Sequence, residues 1–306
     1  MVAQLLLYKI FQLFIIMILG FALVKTKLVK SEDSIILSKL SLYLFMPSVI
    51  LNAFNVDLTD DVVTGLAYAF LFAFIIHIIL LILDIILKKC FKSSNVERAS
   101  IMYSNAGNLI VPIVTYVLGE EYLIYSSAFI IVQLIFLWTH GVKLFSDEKI
   151  NLKKIFTNIN IVTIIIGFAL LFSGVKLPDL LGDTVSTLGS MLAPAGMIIA
   201  GMLAASVKFG EMIKRIRLYF VTSARLVIYP VIIMFLFKIA SSFVHTPIIN
   251  TVMLISYFAC ITPSAATIMQ FSQVYGKDSD YATAINVFST VLCIVTMPLL
   301  VMVFNY

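Results

Sequence analysis

Long apolar runs separated by short polar loops set the rhythm of this 306-residue chain. Runs of roughly 17–27 apolar residues recur ten times, near 4–24, 35–55, 62–87, 98–118, 123–143, 158–174, 184–206, 216–240, 248–274 and 281–304. At 1.5 Å per helical residue, such a run is long enough for a hydrocarbon core of about 30 Å. The polar stretches between them are too short to form soluble domains. The chain therefore reads as an all-α polytopic membrane protein, one domain of ten transmembrane helices. In the first run, MVAQLLLYKIFQLFIIMILGFALVKTK, most basic residues follow the apolar segment, and no small-x-small site closes it. That is the grammar of a retained transmembrane helix rather than of a signal peptide.

Composition strengthens this picture. The chain is 61% hydrophobic and 12% charged, against about 45–50% and about 25% in soluble domains. Its formal charge of +5 is explained by topology, without nucleic acid, because the basic residues collect in alternate loops. The first loop has Lys25, Lys27 and Lys30, and the third has Lys88, Lys89, Lys92 and Arg98. The fifth has Lys143, Lys149, Lys153 and Lys154, and the seventh has Lys208, Lys214, Arg215 and Arg217. Even-numbered loops are poor in Lys and Arg, with Lys176 and Lys277 standing almost alone. Odd loops are thus expected on the cytoplasmic side of the plasma (cell inner) membrane, with both termini outside. Cys90, Cys260 and Cys293 lie far apart, giving neither a disulfide framework nor a metal-ligand spacing, and no cofactor motif occurs.

Marks recur in the same order in the two halves. Pro47 in the second span answers Pro194 in the seventh, and Gly119 closing the fourth answers Gly276 closing the ninth. A unit of five spans must insert upside down in its second copy, so 1–145 and 155–306 read as inverted repeats. In carriers built this way the substrate site lies near the midplane, at discontinuous helices. The ninth span carries such a break in YFACITPSAATIMQ. Proline inside a helix costs about 3 kcal/mol, whereas Thr262 followed by Pro263 suits the start of a new half-helix. Ser264, Thr267 and Gln270 follow at intervals of three, forming a polar stripe. The fourth span, IMYSNAGNLIVPIVTYVLG, offers Ser104 or Asn105 as caps, freedom at Gly107, donors on Asn108, and Pro112 against a smooth helix. Spans four and nine are therefore expected to be broken and to cross, presenting two positive helix ends to an anion.

The segments SNAGNLIVPIVTYVLGEE and ACITPSAATIMQFSQVYGKDSDYATAINVFSTVLCIVTMPLL resemble the fourth-helix motif and the C-terminal signature of the auxin efflux carrier family. The resemblance spans essentially the whole chain. It implies secondary transport of a small organic anion: auxin in plant relatives, malate or other dicarboxylates in bacterial ones. It also implies a scaffold of spans one, two, six and seven, and a mobile transport domain of spans three to five and eight to ten. A homodimer through the scaffold is implied by the resemblance alone. Binding roles would fall on Asn105, the Pro112 region, and Pro263 with its neighbours. The chain departs from many relatives at Ser264, and its short fifth loop, 144–157, lacks the long hydrophilic insert of plant carriers.

Intramembrane charge costs about 2.5–3.5 kcal/mol at a helix centre, so each instance needs a reason. Arg225 reads as a countercharge or gate partner for the anion, or as a residue that snorkels or pairs with Asp84 or a carbonyl. Asp84 is expected to pair locally with Lys88 four residues on, with a proton relay as the alternative. His77 is expected to be a neutral hydrogen-bonded residue, with a proton carrier as the alternative. Both stand beside Arg225 as candidate countercharge or gate residues, while Lys39 and His140 are expected to snorkel. No H-E-x-x-H motif and no facing aspartyl pair supports an enzyme. A sodium-coupled symporter of the same fold and a non-transporting ligand sensor are the competing readings.

Overall fold

The computed structural model describes residues 2–57, 59–146, 157–242 and 246–304. Those residues fold into helices and connecting turns, with no strand beyond one isolated bridge. The helices that matter here are α1 (Val2–Lys25), α2 (Ser31–Phe54), α3 (Asp60–Cys90), α4 (Asn95–Met102), α5 (Ala106–Val117) and α6 (Glu120–Phe145). They continue as α7 (Ile159–Ser173), α8 (Asp179–Ala204), α9 (Ile216–Ser241), α10 (Pro247–Cys260), α11 (Ala266–Val274) and α12 (Ser279–Phe304).

Seven helices among the described residues are long and apolar enough to cross a membrane, by length and composition. The other three expected spans are present as shorter helices. The fourth is split into α4 and α5, and the ninth into α10 and α11, while the sixth is the 15-residue α7.

Helix ends follow local chemistry. Ser94 and Glu97 form a reciprocal capping box at the start of α4, with Ser94 N–H donating to Glu97 Oε2 at 2.8 Å. Gly174 stops α7 in the left-handed conformation, φ +69°. Three helices widen into a π turn, at Ser41–Phe45, Leu137–Gly141 and Ala224–Ile228. Pro47 and Pro230 follow two of these turns, and a proline cannot donate to the carbonyl four residues before it.

Packing sorts the helices. α1 lies along α8, and α2 against α7 and α8, while α3 packs against α6 and α10. The α1–α8 pair is very close: a Cβ at Gly20 would strike the Ile198 backbone, and one at Gly201 the Met17 carbonyl. Such contacts are how helices associate in lipid, where apolar burial gives little drive.

The loops divide between two faces. Ser31 Oγ donates to the Met202 carbonyl, Arg217 donates to the carbonyls of Phe91 and Lys92, and Arg215 pairs with Asp278 at 3.0 Å. These contacts gather the first, third, seventh and ninth loops at one end. Lys176 pairs with Asp57 at 2.7 Å, joining the second and sixth loops. Lys277 therefore belongs to the basic end, and its expected place among the sparse even loops is corrected. Lys149, Lys153 and Lys154 lie outside the described residues.

Candidate functional site

The two breaks meet. The links 103–105 and 261–265 run antiparallel past each other, with Ser104 opposite Ser264. Asn105 N–H donates to the Pro263 carbonyl at 2.8 Å, and Ala265 N–H to the Tyr103 carbonyl at 3.0 Å. A backbone group inside a membrane protein must find a protein partner, and each break supplies partners for the other. The expected crossing is present, although its local grammar differs from the expectation. Pro263 sits in the extended link rather than at the first helical position, because α11 begins at Ala266. The Thr262 hydroxyl donates back to the Ala259 carbonyl at 2.9 Å instead of capping α11. Asn105 precedes α5 without a side-chain capping bond, and Pro112 lies inside α5 rather than holding it open.

Side chains from the helices that follow each break hold the crossing. Gln133 of α6 grips Ser104 three times: its Oε1 accepts from Ser104 N–H at 3.1 Å and from the hydroxyl at 2.7 Å, while its amide donates to the Ser104 carbonyl at 2.9 Å. On α12, the Asn286 amide donates to the Ser264 carbonyl at 2.5 Å, and Ser289 Oγ accepts from Ser264 N–H at 3.2 Å. Sequence reading missed Gln133, Asn286 and Ser289. The available signal was a lone amide within an otherwise apolar run, IIVQLIF in one helix and TAINVF in the other.

Arg225 completes the crossing from behind. It is fully buried and donates to the carbonyls of Thr262 at 3.0 Å, Ile101 at 3.1 Å and Cys260 at 2.8 Å. Those carbonyls belong to the C-terminal ends of α4 and α10 and the link beyond, where each helix carries about half a negative charge. Arg225 does not line the cavity in front of the crossing. It pairs with carbonyls rather than with Asp84.

In front of the crossing lies a cavity of about 380 Å³. Ser104, Asn105, Gly107, Asn108, Gln133, Thr267 and Gln270 line it, with Trp138 and Phe271 among its apolar walls. Among the described residues, none that lines it is charged. The first turns of α5 and α11 open onto it, and a helix's first four N–H groups have no intrahelical partner. Asn108 Nδ2 donates to Asn105 Oδ1 at 3.1 Å, so these two amides act together. Two glycines bring the opposite wall close: a Cβ at Gly107 would meet Met46 Cε, and one at Gly196 would meet the Asn108 side chain at 2.8 Å.

The remaining candidates fall elsewhere. Thr262, Pro263 and Ser264 are buried in the crossing and do not line this cavity, and Pro112 lines a second cavity. The polar stripe thus reduces to Thr267 and Gln270. Asp84 does not pair with Lys88, which is exposed one turn further along α3. Its carboxylate takes a bidentate contact from Arg98, with Nε at 2.8 Å, and faces His140 Nε2 at 3.3 Å. His140 reaches Tyr103 as well, so it is engaged rather than snorkelling. His77 is fully buried, with Nδ1 2.7 Å from the Ala73 carbonyl and its ring stacked on Phe136. No cluster of His, Cys, Asp or Glu that could hold a metal occurs among the described residues.

A family model described as membrane transport protein matches residues 5–154 and 146–301, nearly the entire chain. No curated protein matches the sequence. With the membrane-length helices and that match over both halves, the chain belongs to the membrane transport protein family, the family of the auxin efflux carriers that its motifs resemble.

Proposed function

We propose that this protein is a secondary carrier moving a small organic anion, such as a carboxylate, across the plasma membrane by alternating access. The observation that carries this reading is a cavity onto which two half-helix N-termini open and whose lining, among the described residues, is uncharged. Helix ends and amides attract one negative group without burying a fixed countercharge that would hold it tightly. Asn105, Asn108, Thr267 and Gln270 orient the anion, while Ser104 and Ser264 fix the crossing behind it. The α1, α2, α7 and α8 group serves as scaffold, and the remaining helices carry the site. The halves 1–145 and 155–306 act as inverted repeats, as the matched amide clamps on α6 and α12 suggest. Dimerisation, if it occurs, uses the scaffold.

The test is charge movement in proteoliposomes across a panel of small carboxylates, with and without sodium. A current for one acid that persists without sodium and falls at least tenfold in Asn105→Ala supports the carrier. A sodium-dependent current supports symport instead. Silence from folded protein for every acid favours a ligand sensor or an uncharged substrate.

A further inference from the structure

A second cavity of about 380 Å³ lies on the far side of the crossing from the basic end, lined by Lys9, Asn52, Pro112, Thr115, Glu120 and Ser190 among others. Three helices pass from one cavity to the other, each in the same register. On α2, Met46 faces the inner cavity, and Val49 and Asn52 the outer one. On α5, Asn108 faces the inner cavity, and Val111, Pro112 and Thr115 the outer one. On α8, Gly196 faces the inner cavity and Gly189 the outer, while Leu192 lines both.

At the level of Leu192 an apolar cluster sits between the two cavities. Phe45, Val49, Leu192 and Ala195 form a small cluster separate from the main core, with Met46, Val111 and Leu188 packed against it. Val49 is 6% and Leu192 3% exposed although cavities lie on both sides. A short apolar constriction between two cavities with polar residues in their linings is an arrangement that can gate by dewetting.

We propose that Met46, Val49, Val111 and Leu192 form a dry gate between two stations of one permeation path, and that the outer cavity is the second station. This inference rests on the transport reading. The outer station, unlike the inner one, holds charge, Lys9 together with Glu120. The Lys9 ammonium donates to Gln12 Oε1 at 3.0 Å and lies 5.5 Å from the Tyr116 ring centroid, leaving it as the cation there for an anion to meet. An anion leaving the uncharged inner cavity meets this charge once the seal parts. The seal parts by separating α5 from α2 and α8, because the cluster draws its members from those three helices. The contacts across that surface are side chain on glycine, Met46 on Gly107 and Asn108 on Gly196, which leave the backbones free to slide.

The gate is tested without knowing the substrate, using the impermeant anion 2-sulfonatoethyl methanethiosulfonate on sealed vesicles of both orientations. In a Cys90→Ser background, Thr115→Cys reports the outer cavity and Thr267→Cys the inner one. The expected result is that each reacts at least tenfold faster from its own side. Adding Leu192→Ala then makes Thr267→Cys react from the outer side, with the rate from the inner side retained as proof of fold. Equal reaction of Thr267→Cys from both sides before that change overturns the gate, as does an unchanged outer-side rate after it. Failure of the carboxylate currents with these labelling results intact would instead fault the transport reading alone.

Discussion

At the scale of single residues, the informative case is Arg225. An isolated arginine in the span VTSARLVIYP invites a role in binding anions. Folding gives it a different partner, the carbonyls left over where two helices stop. A planar guanidinium with donors in a fixed fork can serve several carbonyls at once, whereas an ammonium is a compact point donor. Arg225→Lys is therefore expected to lose at least one of three hydrogen bonds, each worth roughly 1.5–3 kcal/mol when the donor is charged. Arg225→Met removes all three and leaves those carbonyls unpaired. The expected order of melting temperature in detergent is wild type, then Lys, then Met. Charge movement should fall along the same series. A Met variant as stable as wild type would show that the crossing holds without this arginine. Arg225's depth was legible in the sequence; its partners were not, because they lie 35, 37 and 124 residues away.

At the scale of elements, the sequence announced both breaks but not what holds them. Proline, Asn-x-Gly and small polar residues mark where a helix cannot run on, since those properties are local. The clamps are tertiary: Gln133 reaches across 29 residues to Ser104, and Asn286 across 22 to Ser264. Local rules also misplace the caps: Thr262 and Pro263 have the grammar of a helix start, but the backbone pairing of the links takes precedence. Gln133→Leu tests the clamp. It leaves the Ser104 N–H, hydroxyl and carbonyl without these bonds, and an unsatisfied buried polar group costs about 1–3 kcal/mol. The expected outcome is a lower melting temperature together with weakened transport. Gly196→Ala separates closeness from stability, since its added methyl presses on a flexible amide rather than on backbone. It is expected to keep the fold and displace Asn108 into the cavity, lowering the apparent affinity for a transported carboxylate several-fold. An unchanged KM would place Asn108 outside the binding surface.

At the scale of the whole molecule, the two ends differ in charge, which predicts an orientation. One end gathers Lys88, Lys89, Lys92, Lys214, Arg215, Arg217 and Lys277. The other carries Asp57, Asp60, Asp61, Glu120, Glu121, Asp179 and Asp183 around Lys176. Loops rich in Lys and Arg stay on the cytoplasmic side during insertion, so the inner cavity should open to the cytoplasm and both chain termini should lie outside. Ser38, Tyr43, Asn158 and Tyr275, at that cavity's mouth, lie close in sequence to the first, fifth and ninth loops, all odd-numbered. The native protein carries its own reporter. Cys90 ends α3 at the basic face and is exposed, while Cys260 and Cys293 are buried. An impermeant maleimide should label Cys90 in inside-out vesicles and spare it in right-side-out cells, with Cys90→Ser silent in both. Labelling from outside would invert the molecule. The cavity at the crossing would then face out in this conformation, and Lys9 would guard the cytoplasmic side of the gate.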